Sequence, residues 1–151
     1  MGYDAEGGVF MKPHIFSVEE ANAALPPLTT IVKEIMEIHD SIKHVTNGIK
    51  ELFDIWNEAV HEAGNPDNKM YNEKLRERNE LLERLQQRIE DIRQFGGVVK
   101  DLSVGLVDFY HEIDGELVFL CWKYGEREIR FWHRLQEGYG DRKPVGSVVT
   151  V

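Results

Sequence analysis

The chain has 151 residues with 27 acidic against 18 basic side chains, a net charge of −9 and a pI near 5.1. That length suits one domain with a real core, and the mixed-sign charge, never gathered into a basic patch, argues against nucleic acid as a partner. The longest apolar run, Leu117–Trp122, is too short to span a bilayer and no secretory signal pattern is present. Cys121, the single cysteine, cannot form an internal disulfide and suits a reducing cytoplasm.

Residues Met1–His14 hold three glycines and a proline without periodicity. They read as a flexible tail ahead of one domain spanning 15–151, and Met11-Lys12 reads as an alternative start. Ser17 and Glu20 have capping-box spacing, so a helix is expected over Val18–Leu25. Pro26-Pro27 should then break or kink it.

From Leu28 the apolar residues fall alternately three and four apart through Ile31, Ile35, Ile38, Ile42, Val45, Ile49, Leu52 and Trp56. This spacing is the seam of a coiled coil, and predicts a helix from Leu28 to about Glu62. Gly64 is expected as its left-handed cap. Asn65 and Pro66 are expected to open a second helix. There the stripe resumes at Tyr71, Leu75, Arg78, Leu82, Leu85, Ile89 and Ile92 and stops before Gly96-Gly97. The result is an antiparallel helical hairpin over 15–97. Two helices with a narrow stripe leave flanks uncovered, so a homodimer through the hairpin is expected. Arg78 is a charge in an otherwise apolar stripe, a position that can set register or oligomeric state.

After Val98 the period becomes two, and strands are predicted at Leu106–Ile113, Glu116–Tyr124 and Arg127–Leu135. The fold class is therefore α+β: a long helical hairpin, then a small three-stranded antiparallel sheet and a C-terminal tail over 98–151. Asp114-Gly115 predicts a type I′ turn that pairs Asp108 with Cys121. A two-residue turn at Gly125-Glu126 would pair Cys121 with Arg130 and Phe119 with Trp132. In that register one face carries Val107, Phe109, Val118, Leu120, Trp122, Ile129, Phe131 and Leu135, with His111 and His133 on either side of Val118. The other carries Asp108, Tyr110, Cys121, Glu128, Arg130 and Trp132.

The second set is the candidate ligand-binding face. A thiol beside Arg130 could be activated, although Asp108 could neutralise the same arginine. His111 and His133 are the candidate ligands for a divalent metal, with hydrogen-bonded core histidines as the plainer reading. Glu58 and His61 have the spacing of di-iron bundles but lie off the seam. The Gly138–Arg142 turn offers Arg142 to a nearby site.

Phe16-Ser17-Val18-Glu19-Glu20-Ala21-Asn22, Leu25-Pro26, Asp101-Leu102, Gly105–Phe109, Val118–Trp122, Gly125-Glu126 and Phe131-Trp132-His133 together resemble an uncharacterised prokaryotic family, catalogued as domain of unknown function 2203. Some members are loosely labelled DivIVA-like cell-division proteins. The resemblance runs from Phe16 to about Pro144 and implies no activity, but it directs attention to Asp108, Cys121, Trp122, Trp132 and His133. Two functions follow as expectations. One is a non-enzymatic homodimeric interaction or scaffold module, with a sheet face for a ligand or a protein partner. The other is a small metal-dependent or thiol-based enzyme built on Asp108, His111, Cys121, Glu128 and His133.

Overall fold

The computed structural model describes residues 13–146 and the backbone of two short strands, β1 (Gly2–Tyr3) and β2 (Val9–Phe10), which pair with each other. Of the expected tail, Pro13 and His14 are described, His14 meeting Glu20 at 3.1 Å. The β1–β2 pair also falls within that tail, which was expected to carry no regular structure, and its other residues, with the alternative start at Met11, lie outside the described residues.

Helix α1 (Val18–Ala23) opens on the capping box: Glu20 N–H donates to Ser17 Oγ at 3.0 Å and Ser17 N–H to Glu20 Oε1 at 3.1 Å. The break falls at Ala24, earlier than expected. Helix α2 (Leu25–Trp56) takes Leu25 as its own first residue and seats both prolines in its first turn. Their missing N–H groups would have had no helical partner there, so they start a helix rather than end one.

The far end also differs from expectation. α2 stops at Trp56, and Asn57, not Gly64, takes the positive φ (50°). A 3₁₀ turn follows over Asn57–His61. Asn65 folds its own turn by accepting from Asp67 N–H at 2.8 Å, and helix α3 runs over Asn68–Gln94. Trp56 Nε1–H donates to Asp67 at 2.7 Å and Asn68 to the Val60 carbonyl at 2.9 Å, so the connection is pinned. Arg84 and Arg88 reach Glu34, at 3.3 and 3.9 Å, and Lys74 lies beside Gly48, so α3 returns antiparallel along α2. No helix among the described residues is long and apolar enough to cross a membrane.

The two helices are unequally covered. α2 buries Leu28, Ile35, Ile38, Val45, Ile49 and Leu52 of its stripe. α3 buries only Tyr71 and Ile92. Arg78 is half-buried, and no ion pair to it forms among the described residues.

The sheet has five antiparallel strands in sequence order: β3 (Gly97–Asp101), β4 (Leu106–Ile113), β5 (Glu116–Lys123), β6 (Phe131–Arg134) and β7 (Lys143–Pro144). β3 and β7 were not expected. β3 is bulged beyond Val99, which breaks its alternation, and β7 is a two-residue edge carrying a proline. A Cβ on Gly97 would sit 2.9 Å from Ile92 Cγ2, so α3 feeds directly into β3 only because that position lacks a side chain.

One face of the sheet packs Val107, Phe109, Val118, Leu120, Trp122 and Trp132 against Leu25, Leu28, Val32 and Ile35 of α2 and Ile92 of α3. A second cluster, Val45, Ile49, Leu52, Val60 and Tyr71, fills the distal hairpin.

Candidate functional site

The β4–β5 turn forms as its residues require. Asp114 and Gly115 both take positive φ (51° and 81°), and every expected pair forms from Ile113 with Glu116 to Asp108 with Cys121. The β5–β6 connection does not. The chain leaves the sheet after Lys123, and Trp122 Nε1–H donates to the Glu126 carbonyl at 3.0 Å. Ile129 drops into the core, its N–H donating to Asn22 Oδ1 at 2.6 Å. β6 therefore pairs one residue out of the expected register: Phe119 with His133, Leu120 with Trp132, Cys121 with Phe131.

A one-residue slip turns every side chain to the opposite face. Trp132 moves onto the helix-packed face and leaves the candidate ligand set. His133 moves onto the face of Asp108 and Cys121. His111 and His133 are thus on opposite faces and cannot share a metal. His111 Nδ1 instead lies 2.6 Å from the Phe16 carbonyl and ties the start of the domain to β4. Glu128 and Arg130 pair with each other at 3.2 Å on the exposed loop, away from Cys121. Phe131 and Leu135 leave the expected core, Leu135 being 40% exposed. Tyr110 remains beside Phe119, with ring centroids 4.7 Å apart.

What the slip assembles is a buried trio. Donor atoms of Asp108, Cys121 and His133 all lie within 4.8 Å of one another, and none of the three residues is more than 2% exposed. His133 Nε2 is 3.0 Å from Asp108 Oδ2. His133 Nδ1 is 2.7 Å from the Arg134 carbonyl, which only accepts, so the ring's N–H is committed there and Nε2 faces the aspartate. Asp108 Oδ1 has no hydrogen-bond partner of normal geometry. The Cys121 thiol, a weak donor, lies against the same carboxylate. An unsatisfied buried acceptor costs about 1–3 kcal/mol. His39 Nδ1 and Trp132 Nε1 are also buried without partners, and neither belongs to the trio.

Burial pushes the Asp108 carboxyl above its usual range, against the pull of His133. Burial and the neighbouring Asp108 push the Cys121 thiol up to about 12. A thiol nucleophile needs the reverse shift and an open approach, and Cys121 is buried beside a carboxylate.

The C-terminal loop brings Arg142 close enough to the trio for its charge to act on the Cys121 thiol. Arg142 lies 4.3 Å from the Phe131 ring and 4.1 Å from that of Tyr139, and its Nη1 donates to both oxygens of Glu126 at 3.0 Å. A surface recess of about 570 Å³ lies between α1 and Glu126–Glu128 and reaches none of the trio. Glu58 and His61 are both exposed, 3.6 Å apart, on the 3₁₀ turn.

Against this geometry, the sequence profile of an uncharacterised conserved family matches residues 14–145. The chain belongs to that family, DUF2203. No curated protein and no solved structure matches it. The match takes in all three trio residues, the capping box and both long helices.

Proposed function

We propose that this DUF2203 chain is a non-enzymatic, homodimeric interaction module, with the hairpin as its pairing arm and the sheet as a head at one end. The observation that carries this is the uneven burial of α3. It keeps Leu75, Leu85 and Ile89 only partly covered and leaves Leu82 44% exposed, while six of the nine stripe residues of α2 are buried. A helix with an apolar stripe is stable when that stripe is covered, and the sheet reaches only the near half of the hairpin. Two hairpins laid together as a four-helix bundle would cover it.

Charge favours a second copy as the occupant. α3 carries six acidic and seven basic residues although the whole chain is at −9, so self-pairing along it meets little net repulsion. Sedimentation velocity at micromolar concentration tests the reading. A dimer is expected for the native chain and a monomer for Leu82→Lys, with unchanged helix content. A monomeric native chain at all concentrations up to the millimolar range would sink it.

The burial of the trio, none of it more than 2% exposed, favours a binding module over the enzyme reading. The sheet head would offer its rim, not the buried trio, to a ligand or protein partner.

A further inference from the structure

We propose that Asp108, Cys121 and His133 are the ligands of a zinc site buried in the sheet. Three donors of three types converge from three adjacent strands, and thiolate, imidazole and carboxylate together suit zinc rather than magnesium or calcium. The closest pair, His133 Nε2 and Asp108 Oδ2, is 3.0 Å apart and all three donors lie within 4.8 Å. Donors around a tetrahedral zinc, each about 2.0–2.3 Å from the ion, stand roughly 3.4–3.7 Å from one another. Shifts of a few tenths of an ångström to about one ångström would therefore seat the ion.

Two further features fit a ligand role rather than a plain hydrogen-bonded trio. His133 already holds the orientation of a zinc-bound histidine: its Nδ1–H is fixed on a backbone carbonyl and Nε2 is turned inward. Asp108 Oδ1 is buried without a partner, an acceptor for which the protein supplies no proper donor. Charge also balances. Zinc with one thiolate, one carboxylate and a neutral imidazole sums to zero, which a buried position tolerates. Loading is then an exchange, in which one zinc enters while the Cys121 thiol proton and the proton held between Asp108 and His133 leave. A four-coordinate ion keeps one position for water.

The test uses the full chain stripped with a chelator and then titrated with zinc or cobalt(II). Expected are one equivalent of metal per chain after buffer exchange, a sulfur-to-cobalt charge-transfer band, and a melting temperature raised by zinc but not by magnesium. Cys121→Ser should lose the charge-transfer band. Asp108→Asn and His133→Gln should each weaken cobalt binding by more than about tenfold. Asp108→Asn keeps side-chain shape and a hydrogen bond to Nε2, so its circular dichroism should match the native chain and separate lost binding from lost fold. His61→Gln, far from the trio, should bind as the native chain does. Substoichiometric uptake with no charge-transfer band would overturn the proposal, and so would unchanged cobalt affinity in a folded Asp108→Asn. Dimerisation is read by sedimentation on the same samples, so the two proposals stand or fall separately.

Discussion

The two faces of the sheet are equally dry and built on different chemistry. The helix-facing side closes on Phe109, Leu120, Trp122 and Trp132, each at most 4% exposed. The other side is closed just as tightly around Asp108, Cys121, Phe119 and His133, with a cation–aromatic loop laid over it. On the first, burial is its own reward, because apolar area leaves water. On the second, burial is a cost, borne by a carboxylate with a free oxygen and a histidine. Buried polar groups that packing does not require point to a use.

The largest expected effect lies on the helix-facing side. Trp122→Ala should lower unfolding free energy by about 3–5 kcal/mol in a denaturant titration. Arg142→Ala removes charged hydrogen bonds worth about 1.5–3 kcal/mol. It should also uncover Cys121, read as faster labelling by a thiol reagent at pH 8, where the native thiol should stay unreactive until the chain unfolds. Unchanged labelling would mean that the loop is not what shields the trio.

Asp108→Asn, measured in chelator, should change stability by less than about 1 kcal/mol, since the amide can still donate to His133. A loss as large as that of Trp122→Ala would erase the contrast between the faces. The smallest effect belongs to Asp101, at the rim. The hydroxyl of Ser103 and the N–H groups of Val104 and Ser103 hold its carboxyl below the usual range. A depressed carboxylate stabilises above its unfolded pKa of about 3.9 and loses that contribution as pH falls through its lower folded value. Asp101→Asn should therefore lower the melting temperature slightly at pH 7, where that contribution is fully present, and make no difference at the acid end, which flattens part of the acid limb of the profile.

Local rules made much of this molecule legible. The capping box at Ser17, the long helices and the Asp114-Gly115 turn each depend on residues within one turn of chain, and each formed. Pro26-Pro27 did mark a break, which falls two residues ahead of them at Ala24 and leaves both prolines in the first turn of α2. The same rules failed where distant contacts decided. Gly125-Glu126 suggested a tight turn, but Ile129 is drawn into the core and held by Asn22 near the end of α1. That tertiary contact moved β6 by one residue. Asp108 and Cys121 could be paired from sequence because a local turn sets their register. His133 could not, because its position depends on how deep Ile129 sinks. Arg78 remains half-buried within the stripe, and nothing among the described residues explains it.

The step from the anchored Ile129 to Phe131 at the start of β6 therefore acts as a ruler, in which length matters more than composition. Adding or deleting one residue there would leave Asp108, Cys121 and His133 intact in the sequence yet turn His133 to the helix-packed face. Changes of two would restore the alternation. Within DUF2203, tolerance to insertions in this loop should thus run in even steps, and a member with an odd change should have lost whatever the trio does.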